Sequence, residues 1–291
     1  MDKRSRWIGF ACLGVTALGW GLNWPGIKLL LREWPPLFAR GLAGVTAALI
    51  LAGIVLARGE RLSVPREAVP RLLFATFTNV FAWMGFTTIA MKWVSVSEGA
   101  LLVYTMPIWA TLFAWPIRGT RPMPRDLIAL FLGLAGLVVL FGGQGFSFSH
   151  DKLVGICLAL TAAILFALGN VLNRSQIPLS PTALVAWQVG LGCFVMLVLG
   201  LVFEKLDFSA LSPTGWTVMI YMTLIPMGVC YLTWFETLRR LPPASASTGM
   251  LLAPVIGVVS AALVLGEPLG VREMIAMLLT LSGVTIALQK S

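Results

Sequence analysis

Ten apolar runs of about 20 residues divide this chain, and their length is what most restricts how it can fold. They cover 7–31, 36–57, 69–91, 95–117, 125–143, 153–174, 181–203, 214–238, 243–265 and 271–288. The breaks between them are short and carry Pro, Gly or charge, as in Glu33-Trp34-Pro35-Pro36, 118–125 and 239–243. About 20 residues of helix cross a hydrocarbon core about 30 Å thick. Backbone in lipid must satisfy its own hydrogen bonds, so each run is read as a helix. The alternation in segments of about 10 residues that a membrane barrel would show is absent. Composition agrees: 58% of residues are hydrophobic and 11% charged. A water-facing shell needs about 25% charge. The chain is therefore expected to be an all-α integral membrane protein with ten transmembrane helices.

The net charge of +9 is distributed by side rather than clustered. With the N-terminus inside, fourteen Lys and Arg fall at inner ends and six at outer ends, with Arg40 left within a run. The positive-inside rule then places both termini in the cytoplasm. No basic face interleaved with stacking aromatics occurs, so nucleic acid is not expected as a partner. The opening MDKRSRWIGFACLGVTALGW has no cleavage site followed by a polar segment and is read as a retained first helix. The setting expected is an inner (plasma) membrane of bacterial type. Cys12, Cys157, Cys193 and Cys230 all lie in apolar runs without a CxxC pair and read as small buried hydrophobes.

Residues 241–288 align without a gap on 94–141, at an offset of 147. Pro107 falls on Pro254, Gly119 on Gly266, Arg125 on Arg272 and Gly136 on Gly283. Two halves follow, 1–147 and 148–291, each with five helices. Five is odd, so the second half enters the membrane upside down. Inverted repeats mark transporters with a midplane site between the halves. The plainer alternative is a duplication that only enlarged a scaffold.

Polar and aromatic residues inside the runs are the candidates for a site. Gly19-Trp20-Gly21-Leu22-Asn23-Trp24-Pro25-Gly26 predicts a bent or broken first helix, because Pro25 lacks an N–H and frees a carbonyl near Gly21. Asn23, Trp20 and Trp24 would then face a cavity; a harmless proline kink is the other reading. Arg40, four residues into helix 2, either snorkels to the outer interface or pairs an anion or a helix end. Asn79 either lines a cavity or bonds between helices. Asn170, Asn173 and Gln188 are further intramembrane amides. Glu98 is expected at the N-terminus of helix 4, where the helix dipole favours an anion, and Glu236 in a pair with Arg239 or Arg240. Trp7, Trp34, Trp93 and Trp216 sit at run ends, as interfacial belts do. Trp83, Trp109, Trp187, Trp234, Tyr104, Tyr221 and Tyr231 lie deeper. An aromatic pocket suits a flat apolar solute with a polar handle.

ALGWGLNWPGIK, PPLFARGLAG and EGALLVYTMPIWATLFAW, followed by YLTWFETLRRLPPASASTGMLLAPVIGVVSAALVLGEPL, resemble the EamA branch of the drug/metabolite transporter superfamily over almost the whole chain. The resemblance implies a ten-helix, inverted-repeat carrier of the kind that exports amino acids and related metabolites. It places Trp20, Gly21 and Asn23 at a central cavity and matches Arg40 to an arginine of helix 2. Glu98 stands where many relatives carry a small residue.

The function expected is export of small organic metabolites by alternating access, with aromatic and other neutral amino acids or their analogues first. Helices 1, 3, 4, 6, 8 and 9 would wall the cavity. Trp20, Asn23, Trp24, Asn79, Trp83, Tyr104 and Tyr231 would bind substrate, with Arg40, Glu98, Glu236 and Pro25 available for coupling or gating. The alternatives are a carrier for drug-like cations or nucleotide precursors, and an intramembrane enzyme. No HExxH, GxSxG or ATP-binding motif occurs, so the chain is not expected to be an enzyme or to need a cofactor or metal. Charge rings or a filter motif would mark a channel, and neither appears. The lipid bilayer and a small-molecule substrate are the expected partners, with the monomer as the working unit.

Overall fold

A computed structural model describes residues 3–119, 123–142, 149–173, 177–207 and 210–288. Among these residues there is no strand. The chain opens with α1 (Lys3–Leu30), 28 residues long. Nine helices long and apolar enough to cross a membrane follow among the described residues. They are α2 (Pro36–Ala57), α3 (Arg66–Ala90), α4 (Val96–Ile117), α5 (Pro124–Gly142), α6 (His150–Leu172), α7 (Pro181–Phe203), α8 (Pro213–Arg240), α9 (Ser245–Leu265) and α10 (Val271–Leu288). Glycines, tryptophans and Asn23 dilute the hydropathy of α1, which has the length but not the composition of the others. Apolar side chains such as Phe131, Phe203, Leu263 and Leu278 stand exposed on the bundle, as lipid-facing surface does.

Local chemistry sets where these helices begin, end and break. Ser149, Ser180 and Ser212 cap α6, α7 and α8 by accepting backbone N–H bonds, with proline at the first turn of α7 and α8. Ser95 and Glu98 form a reciprocal capping box at the start of α4. The ends of α4 and α9 turn on Gly119 (φ 70°) and Gly266 (φ 68°), a left-handed conformation that favours glycine. The next helix is capped in the same way both times: Asp126 accepts from Met123 N at 2.7 Å and Glu273 from Gly270 N at 2.9 Å. α4 is interrupted after Val103 and α9 after Met250. Pro107 and Pro254 lie four residues beyond these points and have no N–H to return to the Val103 and Met250 carbonyls. The turn glycine, the acidic cap after it, the interruption and the proline each recur at the offset of 147 residues.

Two antiparallel seams hold the bundle together. On the first, α2 runs against α7, and an added Cβ at Gly41 would lie 2.6 Å from Leu197 Cα. One at Gly200 would lie 2.7 Å from Phe38 Cα. On the second, α5 runs against α10, with Gly136 against Ala276 O and Gly283 against Ala129 O. Small residues let backbones approach this closely, the usual source of helix affinity where lipid removes the hydrophobic drive. α1 packs on α8 and α9, and α6 packs on α3 and α4.

Loops gather at two ends. At one end Glu204 accepts from Leu37 N and Phe38 N, Glu33 from Ser212, Glu267 from Val96 N, and Lys152 pairs with Glu98 at 2.8 Å. At the other, Ser180 bonds Glu60, Trp187 Nε1 donates to Leu62 O, and Arg240 reaches Ser5.

Three expectations are corrected here. α1 is not broken: it stays helical through Gly19–Gly26, with Pro25 inside it. Its glycines serve contact instead, since a Cβ at Gly21 would lie 2.9 Å from Ala253 O and one at Gly19 would strike Cys230. Trp34 is not interfacial: it is 4% exposed, donates to Asp207 O at 3.1 Å and packs on Phe38 and Trp216. Cys157 is exposed on α6 rather than buried.

Candidate functional site

The irregular backbone that α1 lacks is found on α3 and α8. Phe77–Phe86 of α3 and Ile225–Val229 of α8 are wound as π-helical turns. Such turns are rare and concentrate at functional sites. Here they face a cavity of about 570 Å³ in the middle of the bundle. A cavity of this size fits the range of small-molecule sites, about 300–1,000 Å³.

All seven side chains expected to bind substrate line it: Trp20, Asn23, Trp24, Asn79, Trp83, Tyr104 and Tyr231. Trp20 is the best anchored. Its indole N–H donates to the Pro226 carbonyl in the α8 π turn at 2.8 Å. Its ring meets Tyr231 edge-on at 5.5 Å and Trp234 at 6.1 Å. Trp83 packs against Phe166 across the α3–α6 contact at 4.6 Å. Asn79 takes a hydrogen bond from Thr78 at 3.3 Å and faces the cavity. Thr87 returns its hydroxyl to the Trp83 carbonyl at 2.5 Å, a bond within α3.

Arg40 also lines the cavity. It is 5% exposed, so the snorkelling alternative is not what α2 adopts. Its Nη1 donates to Asn23 Oδ1 over 3.4 Å, while its buried Nε has no hydrogen-bond partner among the described residues. The other three candidates lie away from the cavity. Pro25 is buried within α1. Glu98 is held by Ser95 N and Lys152. Glu236 pairs with Arg239 at 2.7 Å and Arg240 at 2.8 Å.

The wall is wider than six helices. Arg40 comes from α2, Val185 and Gln188 from α7, Val284 and Leu288 from α10. Gln188 and Asn170 stand out in the sequence as intramembrane amides; Ser247 and Phe166 carry no such signal. Trp109, Trp187 and Tyr221 spend their polar groups elsewhere, on Thr105, Leu62 O and Gly19 O. Asn173 does not line the cavity.

The cavity is asymmetric along the bundle. It reaches Leu288, Phe235 and Ser247 near one end, but stops at Ile27, Arg40 and Tyr104 toward the other. Beyond that stop lie the fully buried Leu30, Met91, Val94, Val96 and Leu101. Above this plug a cleft of about 360 Å³ is lined by Lys28, Arg32, Lys92 and Glu267. Burial raises the Glu267 carboxyl above its ordinary range, against the lowering effect of the Val96 N–H and of Lys28.

A helical, multi-pass membrane protein with an amide- and aromatic-lined cavity in its bundle has the architecture expected of a membrane transporter. The chain is a member of the EamA-like transporter family, whose model matches residues 6–142 and 153–289. A protein of Salmonella typhimurium named a probable amino-acid metabolite efflux pump is 28% identical over 297 residues, 97% of this chain and 95% of that one. The aromatic amino acid exporter YddG of Ancylobacter novellus is 26% identical over 235 residues, 78% of this chain and 79% of that one. A solved crystal structure at 22% identity superposes with a TM-score of 0.68, over 99% of this chain and 97% of the other, and so shares the fold.

Proposed function

We propose that this transporter exports small metabolites with an apolar body and a polar end, aromatic and other neutral amino acids foremost, by alternating access. The observation that carries the reading is the cavity itself, where tryptophan and tyrosine rings surround asparagine amides. Aromatic walls with a few placed polar groups suit such solutes. The names of the two relatives point the same way. The test is initial-rate flux of phenylalanine, threonine and a dicarboxylate through reconstituted protein, with and without a pH gradient. Saturable phenylalanine flux with counterflow is the expected result. Movement of the dicarboxylate alone would overturn the substrate reading.

In this reading α1 is a tenth spanning helix, and residues 1–147 and 148–291 are inverted repeats. The two family matches, the recurrence of backbone breaks and caps, and the antiparallel seams between corresponding helices all support it. Both termini are then cytoplasmic, and the cavity opens inward, plugged on the outer side. Glu98–Lys152 and Glu236–Arg240–Ser5 become gate contacts at opposite ends. Pro25 softens α1 between them. Cysteine-accessibility labelling at His150 and Arg121 checks the topology, although Arg121 lies outside the described residues. Labelling from opposite sides is expected, and labelling from one side would sink the inverted arrangement.

A further inference from the structure

Arg40 is a buried cation with an unused donor. Its Nε makes no hydrogen bond among the described residues, and the contact from Nη1 to Asn23 is long at 3.4 Å. The residue is 5% exposed and faces the cavity. A buried charge needs a counter-charge, and guanidinium suits a carboxylate because its donors form a planar fork. No Asp or Glu lines the cavity among the described residues. The counter-charge therefore has to arrive with the solute.

We propose that Arg40, assisted by the Asn23 amide, is the carboxylate-binding residue of this cavity, and that the substrate class is monocarboxylates with an aromatic or large apolar body, whether or not they carry an amine. The inference rests on the export reading for its setting and adds the feature that selects the solute. The same lining explains the second half of the statement. An ammonium entering the cavity finds no carboxylate among the described residues, but ring faces and neutral amide, hydroxyl and backbone oxygens, such as those of Trp20, Tyr231, Asn79, Gln188 and Ser247. An amino acid and its hydroxy-acid analogue are thus held by the same charged contact. An aromatic amine without a carboxylate has no ionic partner and meets the Arg40 charge. A second carboxylate on the solute would likewise go unpaired.

The experiment measures binding and flux separately. Purified protein is melted with phenylalanine, 3-phenyllactate or phenethylamine, and the same three solutes are then followed in proteoliposomes. Phenylalanine and 3-phenyllactate are expected to raise the melting midpoint and to move, while phenethylamine does neither. Arg40→Gln removes the charge, and Arg40→Lys keeps it but removes the fork. In Arg40→Gln the affinity for 3-phenyllactate should fall by about ten- to hundredfold, the range for losing a charged hydrogen bond. Arg40→Lys should fall between the two. Without ligand, Arg40→Gln should melt no lower than the parent, since it relieves an unpaired buried charge. A purely structural arginine would give a lower midpoint and an unchanged ligand shift in the folded fraction. Stabilisation by phenethylamine, or equal 3-phenyllactate affinity in Arg40→Gln, would overturn the assignment. Arginine-dependent binding with no flux of any solute would leave the assignment standing and overturn the export reading.

Discussion

Replacing Gly41 by leucine is expected to prevent the folded protein from accumulating. The first side-chain atom alone would sit 2.6 Å from Leu197 Cα, on the backbone of α7. A backbone cannot swing aside as a flexible side chain does, so α2 and α7 must separate along the seam. Overpacking of a core costs about 1–3 kcal/mol and at times more, and a clash with backbone belongs at the upper end. Gly53 is the control, on the same helix with nothing within 4 Å of an added Cβ. Gly53→Ala should be neutral or stabilise by up to about 1 kcal/mol, the difference in helix propensity. Detergent-solubilised yield and melting midpoint read both. If Gly41→Leu and Gly53→Ala melt alike, the seam does not hold the bundle as described.

Trp20→Ala is expected to raise the apparent KM for phenylalanine export by tenfold or more. The substitution deletes a ring of the cavity wall, so an aromatic solute loses a stacking contact worth about 0.5–1.5 kcal/mol beyond the apolar area buried against it, and Tyr231 and Trp234 lose the ring they pack on. It also strands the Pro226 carbonyl, which Trp20 Nε1 now bonds at 2.8 Å. Trp20→Phe separates the contributions, keeping a ring and losing only a hydrogen bond worth about 0.5–1.5 kcal/mol. Initial rates over a range of phenylalanine concentrations in proteoliposomes distinguish them. A KM unchanged in Trp20→Ala at equal protein level would remove Trp20 from the site.

Much of this architecture was legible in the residues, and the parts that were not have physical causes. Runs of helical length between polar breaks declare spanning helices because lipid leaves the backbone no other partner. The turn glycines Gly119 and Gly266, and Pro107 and Pro254, could be matched by eye because each dictates a backbone event. Asn23 and Asn79 pointed inward because amides are costly against hydrocarbon. Arg40 kept two readings in the sequence, and its burial speaks only against snorkelling. The glycines of α1 misled: Gly beside Pro reads as a break, but close contact with α8 and α9 uses the same residues. The π turns left no trace, since winding in one extra residue depends on neighbouring helices rather than on local propensity. The shares of α2, α7 and α10 in the wall were hidden for a different cause. A helix touching lipid on one side and protein on the other is apolar all round, so its sequence does not say which face is which.

The seams have a mechanical consequence. Where two helices meet through side chains, one can creep along the other by small rotamer changes. Gly41 with Leu197, and Gly200 with Phe38, leave no such compliant layer. Axial sliding by a fraction of a turn would bring neighbouring side chains against the facing backbone, so translation along this seam is expected to be stiff. Rotation about the line of contact meets no such obstacle. Relative motion of these helices is therefore expected as tilting about the points of contact rather than as sliding along them.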